Sequence, residues 1–406
     1  MIDQTKRIPF GQIAATQTAI GIEVEKVRVD AHNQLSAHPF PAQLSEPVRP
    51  FVEREYFEAQ LEFTLPAEAD VTKVITFGSA TVEAVAAQLL PAEHLWPYSC
   101  PPPLKIKLGS RHIAELPASS RLYRERLSHV YDMRRLLNTG VHINLSFSAA
   151  ALKQLVQAGQ FNDADALYVH LAQYFMLHRW VFTYLYGATP RPFAGYLQGT
   201  RQAAPVRSLR SSTFGFPRSI QGDYASVPRY VAQIDDAIDD GRLMKAGQYY
   251  EAVRLKSSAG KAPCHLLETG VSHVELRAFD LNPLIPLGVT ADQLRIVQSL
   301  AVFFAGQPNL EPAELTARLA AAQARHDQVA LEDPCQASCC QAAGLALFAQ
   351  LADFARQGEF PAAYQRSIEQ AQAAFADPTQ TLAAAVWRRL GRAAAPAVQD
   401  SCFKGR

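Results

Sequence analysis

Gly21-Ile22-Glu23-Val24-Glu25-Lys26-Val27-Arg28-Val29-Asp30 alternates and is rich in β-branched side chains, the pattern of a strand. Residues two apart in a strand point to one face, so Glu23 and Glu25 project side by side. Parallel carboxylates repel each other, so a buried pair calls for cations between them. A solvated strand face is the alternative, and the choice turns on whether such faces recur.

They do. Residues 51–66 alternate again, with Glu58, Gln60 and Glu62 on one side and Ala59, Leu61 and Phe63 on the other. Residues 140–148 place Val141, Ile143, Leu145 and Phe147 opposite His142, Asn144, Ser146 and Ser148. Residues 271–280 put Glu275 and Arg277 on one face, and 248–256 put Tyr250, Arg254 and Lys256 on one side. A short polar strand or turn at 208–216 adds Arg210. In one antiparallel sheet these polar faces line a shared concave surface. Carboxylates with one imidazole suit a hard divalent ion, Mg²⁺ or Mn²⁺. Arg and Lys beside it are what phosphoryl transfer needs, because charge spreads over the transferred group. The chain contains neither G-x4-G-K-[ST] nor G-x-G-x-x-G, so a nucleotide would be held through metal and side chains. The residues alone therefore read as a metal-dependent phosphoryl-transfer or hydrolytic enzyme.

The rest of the chain sets bounds. Its 406 residues are 48% hydrophobic and 19% charged with a net charge of +1, which points to a globular protein and not to nucleic acid or an acidic membrane surface. The N-terminus has no apolar signal core, and the most apolar stretch, 174–186, is broken by His178-Arg179. A soluble, cytoplasmic protein is expected. Cys335, Cys339 and Cys340 form C-x3-C-C without companion ligands, which reads as ordinary thiols before a zinc site. Helices are expected over 78–90, over 119–137 (Ser119-Ser120 as N-cap, Tyr123 within) and over 163–187. Residues 31–50, 96–103 and 190–207 read as loops. From 290 to 394 the chain is Ala- and Gln-rich and helical, with breaks near Gly306, Asp333-Pro334, Gly358 and Asp377-Pro378.

Several segments together resemble the bacterial glutamate–cysteine ligases, including the ligase module of bifunctional glutathione synthases. They are the opening strand, Tyr56-Phe57-Glu58-Ala59-Gln60-Leu61-Glu62-Phe63, Tyr123-Arg124-Glu125, and Gly140-Val141-His142-Ile143-Asn144-Leu145-Ser146-Phe147. Ser208-Leu209-Arg210, Tyr250-x3-Arg254-x-Lys256 and Val274-Glu275-Leu276-Arg277-Ala278-Phe279-Asp280-Leu281-Asn282-Pro283 complete the set. The resemblance implies an α+β, glutamine-synthetase-like fold, a curved antiparallel sheet forming a partial barrel. With no repeats and no linker in the sequence, one catalytic unit is expected, with a core over 1–290, a helical portion over 291–406 and no ATP-grasp domain.

The resemblance also implies ATP-dependent joining of L-glutamate to L-cysteine through a γ-glutamyl phosphate, by a monomer working beside a separate glutathione synthetase. Another small amine as acceptor, or a metal-dependent hydrolase, are the alternatives. By position, Glu23, Glu25, Glu62, His142 and Glu275 resemble metal ligands, and Glu55 stands where the family usually has Asp. Arg254, Lys256 and Asn282 would hold ATP, with Arg254 and Arg277 acting on the phosphoryl group. Tyr123, Arg210, Arg277 and Tyr56 would meet the amino-acid substrates. Phe216 falls where the family's cysteine pocket commonly has Tyr. Glu58 reads as a sheet-edge salt-bridge partner outside the site.

Overall fold

The opening stretch forms β1 (Thr18–Val29), whose Ile20, Ile22 and Val24 are fully buried on one face. The computed structural model describes residues 15–158, 161–197, 204–216 and 220–392. Residues 198–203 of the expected 190–207 loop, Met1 and the other N-terminal residues to 14, and Cys402 lie outside them. The remaining strands are β2 (Val52–Arg54), β3 (Gln60–Glu68), β4 (His94–Trp96), β5 (Val141–Phe147), β6 (Val253–Lys256) and β7 (His273–Phe279). They make one antiparallel sheet in the order β2-β3-β1-β5-β7-β6, with β4 paired to the end of β1.

Three helices cover the apolar face: α1 (Val71–Ala86) against β3, α5 (Ala164–Tyr186) against β6 and β7, and α8 (Ala291–Ala305) against β1. On β1 the polarity then reverses. Lys26 and Arg28 are buried on the parity of Ile22 and Val24, while Val27 and Val29 join a second apolar cluster with Tyr56, Phe57 and Trp96. Arg28 is accommodated by Glu93 (3.0 Å) and the carbonyls of His38 (3.0 Å) and Glu58 (2.8 Å). The carboxylate face of β1 thus ends against an apolar wall at Val27.

Other helices are α2 (Ala118–Val130), α3 (Met133–Leu136), α4 (Ala149–Gln157), α6 (Val227–Asp239) and α7 (Cys264–Thr269). The C-terminal portion holds α9 (Pro312–Ala330), α10 (Gln341–Gln357), α11 (Ala362–Ala376) and α12 (Leu382–Arg392), with the four breaks where the Gly and Asp-Pro signals predict them. Against α11, α10 comes so close that a Cβ on Gly344 would overlap the Phe375 ring. Gly344→Ala is therefore expected to destabilise the protein by about 1–3 kcal/mol, measurable as a lower urea midpoint.

Local expectations differ from the structure in several places. Residues 51–66 are not one strand but a hairpin, β2 folding back on β3 with Glu53 opposite Glu62. Glu58 lies in its turn, accepting from the backbone of Phe40 (2.6 Å) and Glu115 (2.8 Å) and paired with Arg54 (3.5 Å). The helix over 119–137 divides at Tyr131 into α2 and α3, because Asp132 caps the second through the Arg134 N–H. Pro117, not Ser119 or Ser120, is the N-cap of α2. The helix expected at 78–90 begins earlier, where Asp70 caps the Thr72 N–H. Tyr250 precedes β6 in a loop, so only Arg254 and Lys256 share its strand face. Cys339 and Cys340 place their Sγ atoms 3.6 Å apart, and among the described residues no cysteine joins a metal-ligand group. No helix among the described residues is long and apolar enough to cross a membrane.

Candidate active site

Register brings the predicted residues together. Glu25 lies opposite Glu62, Glu23 opposite His142, and Asn144 opposite Glu275, which is itself opposite Arg254. Four adjacent strands therefore carry carboxylate, carboxylate pair, imidazole and carboxylate in sequence across one face. Between Val141 and Ile143 the β5–β7 register slips, so that Arg277 and Ala278 both oppose His142. This β-bulge lets Glu275 and Arg277 share the polar face while Phe279, an odd-numbered residue like them, turns into the core.

His142 is the hub and is almost fully buried. Its Nδ1 lies 3.1 Å from Glu23 Oε2 and 3.6 Å from Glu275 Oε1, and its Nε2 lies 3.5 Å from Glu25 Oε1. Glu23 also accepts from the Asn144 amide at 2.9 Å, and Glu25 from the Gly140 N–H at 2.9 Å. Burial raises the Glu23 carboxyl, but the hydrogen bond and charge of His142 and the Asn144 amide outweigh it and hold it at about 2. Burial opposes ionisation of Glu275 as well. The cations Arg277 (2.6 Å), Lys256 (3.4 Å) and Arg254 more than offset this and hold it well below the usual carboxylate range.

Glu62 and Glu55 are the reverse case. Burial, then the charges of Glu55, Glu23 and Glu25, pushes Glu62 well above the ordinary range. Burial, then Glu25, raises Glu55, against the pull of Arg124, 3.7 Å away. A face with two carboxylates that resist ionising lacks positive charge. Glu23, Glu62 and His142 each offer a ligand atom within 4.8 Å of the others. Oxygen donors with one imidazole nitrogen fit a hard divalent cation, and Glu25 and Glu55 line a cleft that His142 also borders.

Beside this face opens a cleft lined by Glu25, Glu55, Tyr56, His142, Arg210 and Arg277 among others. Phe216 stands in its wall, edge-on to Tyr250 with ring centroids 4.1 Å apart, and Tyr131 lies 6.5 Å from Phe216. Tyr56 donates to the Arg124 carbonyl at 2.6 Å. Tyr123 carries Lys245 over its ring at 3.5 Å and is pushed up to about 12, chiefly by burial. Arg254 turns its guanidinium toward the carbonyls of Tyr249 and Gly247, and its Nε is buried without a hydrogen bond. Asn282 lies in the loop after β7. Its side-chain oxygen accepts from Leu284 N at 3.0 Å and its backbone N–H donates to Gly288 O at 2.7 Å, which closes the loop after β7.

Some lining residues carried no sequence signal. His326, on α9 of the C-terminal portion, reaches the cleft and sits 3.2 Å from the Ser211 carbonyl and 3.4 Å from Thr183 Oγ1. A lone histidine in an Ala-rich helix looks like any other. Asn138 and Glu251 also line the cleft, from loop positions without alternation.

Comparison with known proteins bears on the family and the fold. The sequence matches the glutamate–cysteine ligase family over residues 11–244 and 238–326. Against a glutathione biosynthesis bifunctional protein (GshAB) of Streptococcus thermophilus it is 30% identical over 376 residues, 91% of this chain and 49% of that protein. Against the GshAB of Streptococcus agalactiae it is 32% identical over 306 residues, 73% of this chain and 40% of that one. The chain thus spans about half the length of the curated relatives it matches. In fold it resembles a crystallised glutamate–cysteine ligase of Francisella tularensis in complex with AMP, with a TM-score of 0.83 and 20% identity, covering 95% of this chain and 87% of that one. The bifunctional glutathione synthetase of Pasteurella multocida gives a TM-score of 0.80 at 24% identity, covering 98% and 53%. The two structures share the α+β, glutamine-synthetase-like architecture. With the family matched across more than half of the chain, the chain belongs to the glutamate–cysteine ligase family of enzymes.

Proposed function

We propose that this chain joins the γ-carboxylate of L-glutamate to the amino group of L-cysteine at the expense of ATP, releasing γ-glutamylcysteine, ADP and phosphate. The observation that carries the reading is the charge order across the sheet. Carboxylates on β3 and β1 and the imidazole on β5 give way to Arg277, Arg254 and Lys256 on β7 and β6. A carboxylate is a poor acyl donor, and a carboxylate oxygen attacking the terminal phosphorus of ATP displaces ADP and creates a leaving group. The amine then attacks the acyl carbon, phosphate departs, and the ammonium proton is lost to solvent. Both reactants in the first step are anions, so positive charge is needed where they meet.

Arg277, fixed by Glu275 beside His142, would face the transferred phosphoryl group, and Arg254 and Lys256 would neutralise the remaining phosphates. Glu23, Glu25, Glu55, Glu62, His142 and Glu275 would hold Mg²⁺ or Mn²⁺. When bound, such an ion supplies charge neutralisation at the phosphoryl oxygens. Arg210 and Tyr123 would take a substrate carboxylate, with Tyr56 in the cleft wall. Asn282 would join Arg254 and Lys256 in holding ATP, from the loop after β7 that its own side-chain oxygen helps to shape.

Phe216 favours a second reading of the acceptor alone. Packed against Tyr250 and lacking a hydroxyl, it offers the acceptor an apolar wall, which suits a small alkyl amine or amino acid as well as a thiol. Incubation with Mg-ATP, L-glutamate and a panel of acceptors, with ADP release as readout, tests both. Cysteine is expected to give the highest kcat/KM; equal stimulation by alanine or 2-aminobutyrate would replace cysteine with a broader acceptor class. Product formation without ATP would overturn ligation in favour of hydrolysis.

A further inference from the structure

The Arg210 guanidinium enters the cleft from a segment outside the sheet, so something must fix it. Its Nη1 donates to the Arg277 carbonyl at 3.2 Å and lies 3.8 Å from Asp280 Oδ1. A Cβ on Gly140 would overlap Nη2, Cζ and Nε of the same guanidinium. The glycine just before β5 is therefore the floor on which the planar group lies.

Asp280 is fully buried. Its Oδ2 accepts from Ala188 N (2.7 Å), Thr189 Oγ1 (2.9 Å) and Ser208 Oγ (2.8 Å). The same hydroxyls continue into the segment that carries Arg210. Thr189 Oγ1 accepts the Arg210 N–H at 3.1 Å, and Ser208 Oγ accepts the Ser211 N–H at 3.0 Å. The other carboxylate oxygen of Asp280, Oδ1, makes no hydrogen bond and faces the guanidinium. One carboxylate thus grips both the backbone and the charge of Arg210. Had Asp280 only a structural part, its three Oδ2 donors would suffice, and a buried bare oxygen would be a cost without return.

We infer that Asp280 and Gly140 are positioning residues that seat Arg210 for the carboxylate of L-glutamate; this rests on the proposed role of Arg210 in taking a substrate carboxylate. Asp280→Asn retains an oxygen for the Oδ2 donors and removes the charge facing Arg210. Gly140→Ala crowds the guanidinium from the opposite side without touching Asp280, and its backbone does not require positive φ.

The test is steady-state ADP release at varied L-glutamate and varied ATP for the wild type, D280N, G140A, R210A and D280N/R210A, with melting temperatures alongside. Each of D280N and G140A is expected to raise the KM for glutamate ten- to hundredfold, with kcat and the KM for ATP within about twofold. In the R210A background, D280N is expected to add nothing to the glutamate KM. If D280N proves unstable, the glutamate KM of G140A decides the matter. Unchanged glutamate KM in G140A and D280N, or a further loss from D280N without Arg210, would overturn the inference while leaving the ligase reading intact. A wild type with no glutamate-dependent ADP release would overturn that reading, and this inference with it.

Discussion

Alanine at Arg277 is expected to slow glutamate-dependent ADP release by about 10³-fold or more, the scale on which a cation facing a transferred phosphoryl group acts. The reason lies in where the side chain is held. The bulge opposite His142 keeps Arg277 on the carboxylate face, and Glu275 fixes it at 2.6 Å from a position that is itself fully buried. Glu275 and neighbouring carboxylates hold its guanidinium firmly protonated, against the effect of burial. Lysine is not expected to restore the rate, because one ammonium cannot hold Glu275 and face a phosphoryl group with the same planar fork. The stability cost should be below the ~3–5 kcal/mol of a broken buried pair, since Lys256 remains 3.4 Å from Glu275. Stopped turnover in a protein that still melts cooperatively is the expected result; near-normal turnover would remove Arg277 from the chemistry.

Glutamine at Glu62 should separate stability from function. The carboxylate is opposed by burial and by Glu55, Glu23 and Glu25, so in metal-free buffer its charge works against the fold. Removing that charge is expected to raise the melting temperature in EDTA. In the wild type Mg²⁺ or Mn²⁺ should raise the melting temperature, because a ligand that binds only the folded state stabilises it. E62Q should lose most of that increment and about 10²-fold or more in turnover. Function-bearing sites commonly carry such built-in destabilisation. A lower melting temperature in EDTA together with an undiminished metal response would show that Glu62 is structural.

How far the sequence led depends on where each residue sits. Alternation identified β1 and β5 because each strand buries one pure apolar face, Ile20-Ile22-Val24 and Val141-Ile143-Leu145. The same rule failed over 51–66, where a hairpin turn interrupts alternation without a Gly or Pro to mark it. In β7 the parity of Leu276 and Phe279 already encoded a bulge, since two core residues three apart cannot share a face of a regular strand. The carboxylate-bearing faces were legible for that reason, whereas the cleft was not. His326, Asn138 and Glu251 reach it from a helix and from loops, where no periodicity relates a residue to a site on another element.

The carboxylate face and its neighbouring cations are proposed to activate glutamate by phosphorylating its γ-carboxylate. L-Glutamate labelled with ¹⁸O in that carboxylate, turned over with Mg-ATP and L-cysteine, tests this most directly, with the released phosphate read by mass spectrometry. Acyl-phosphate chemistry transfers one ¹⁸O from glutamate to each phosphate. Unlabelled phosphate formed alongside ADP would mean that ATP is hydrolysed by water at this site and that glutamate is never activated.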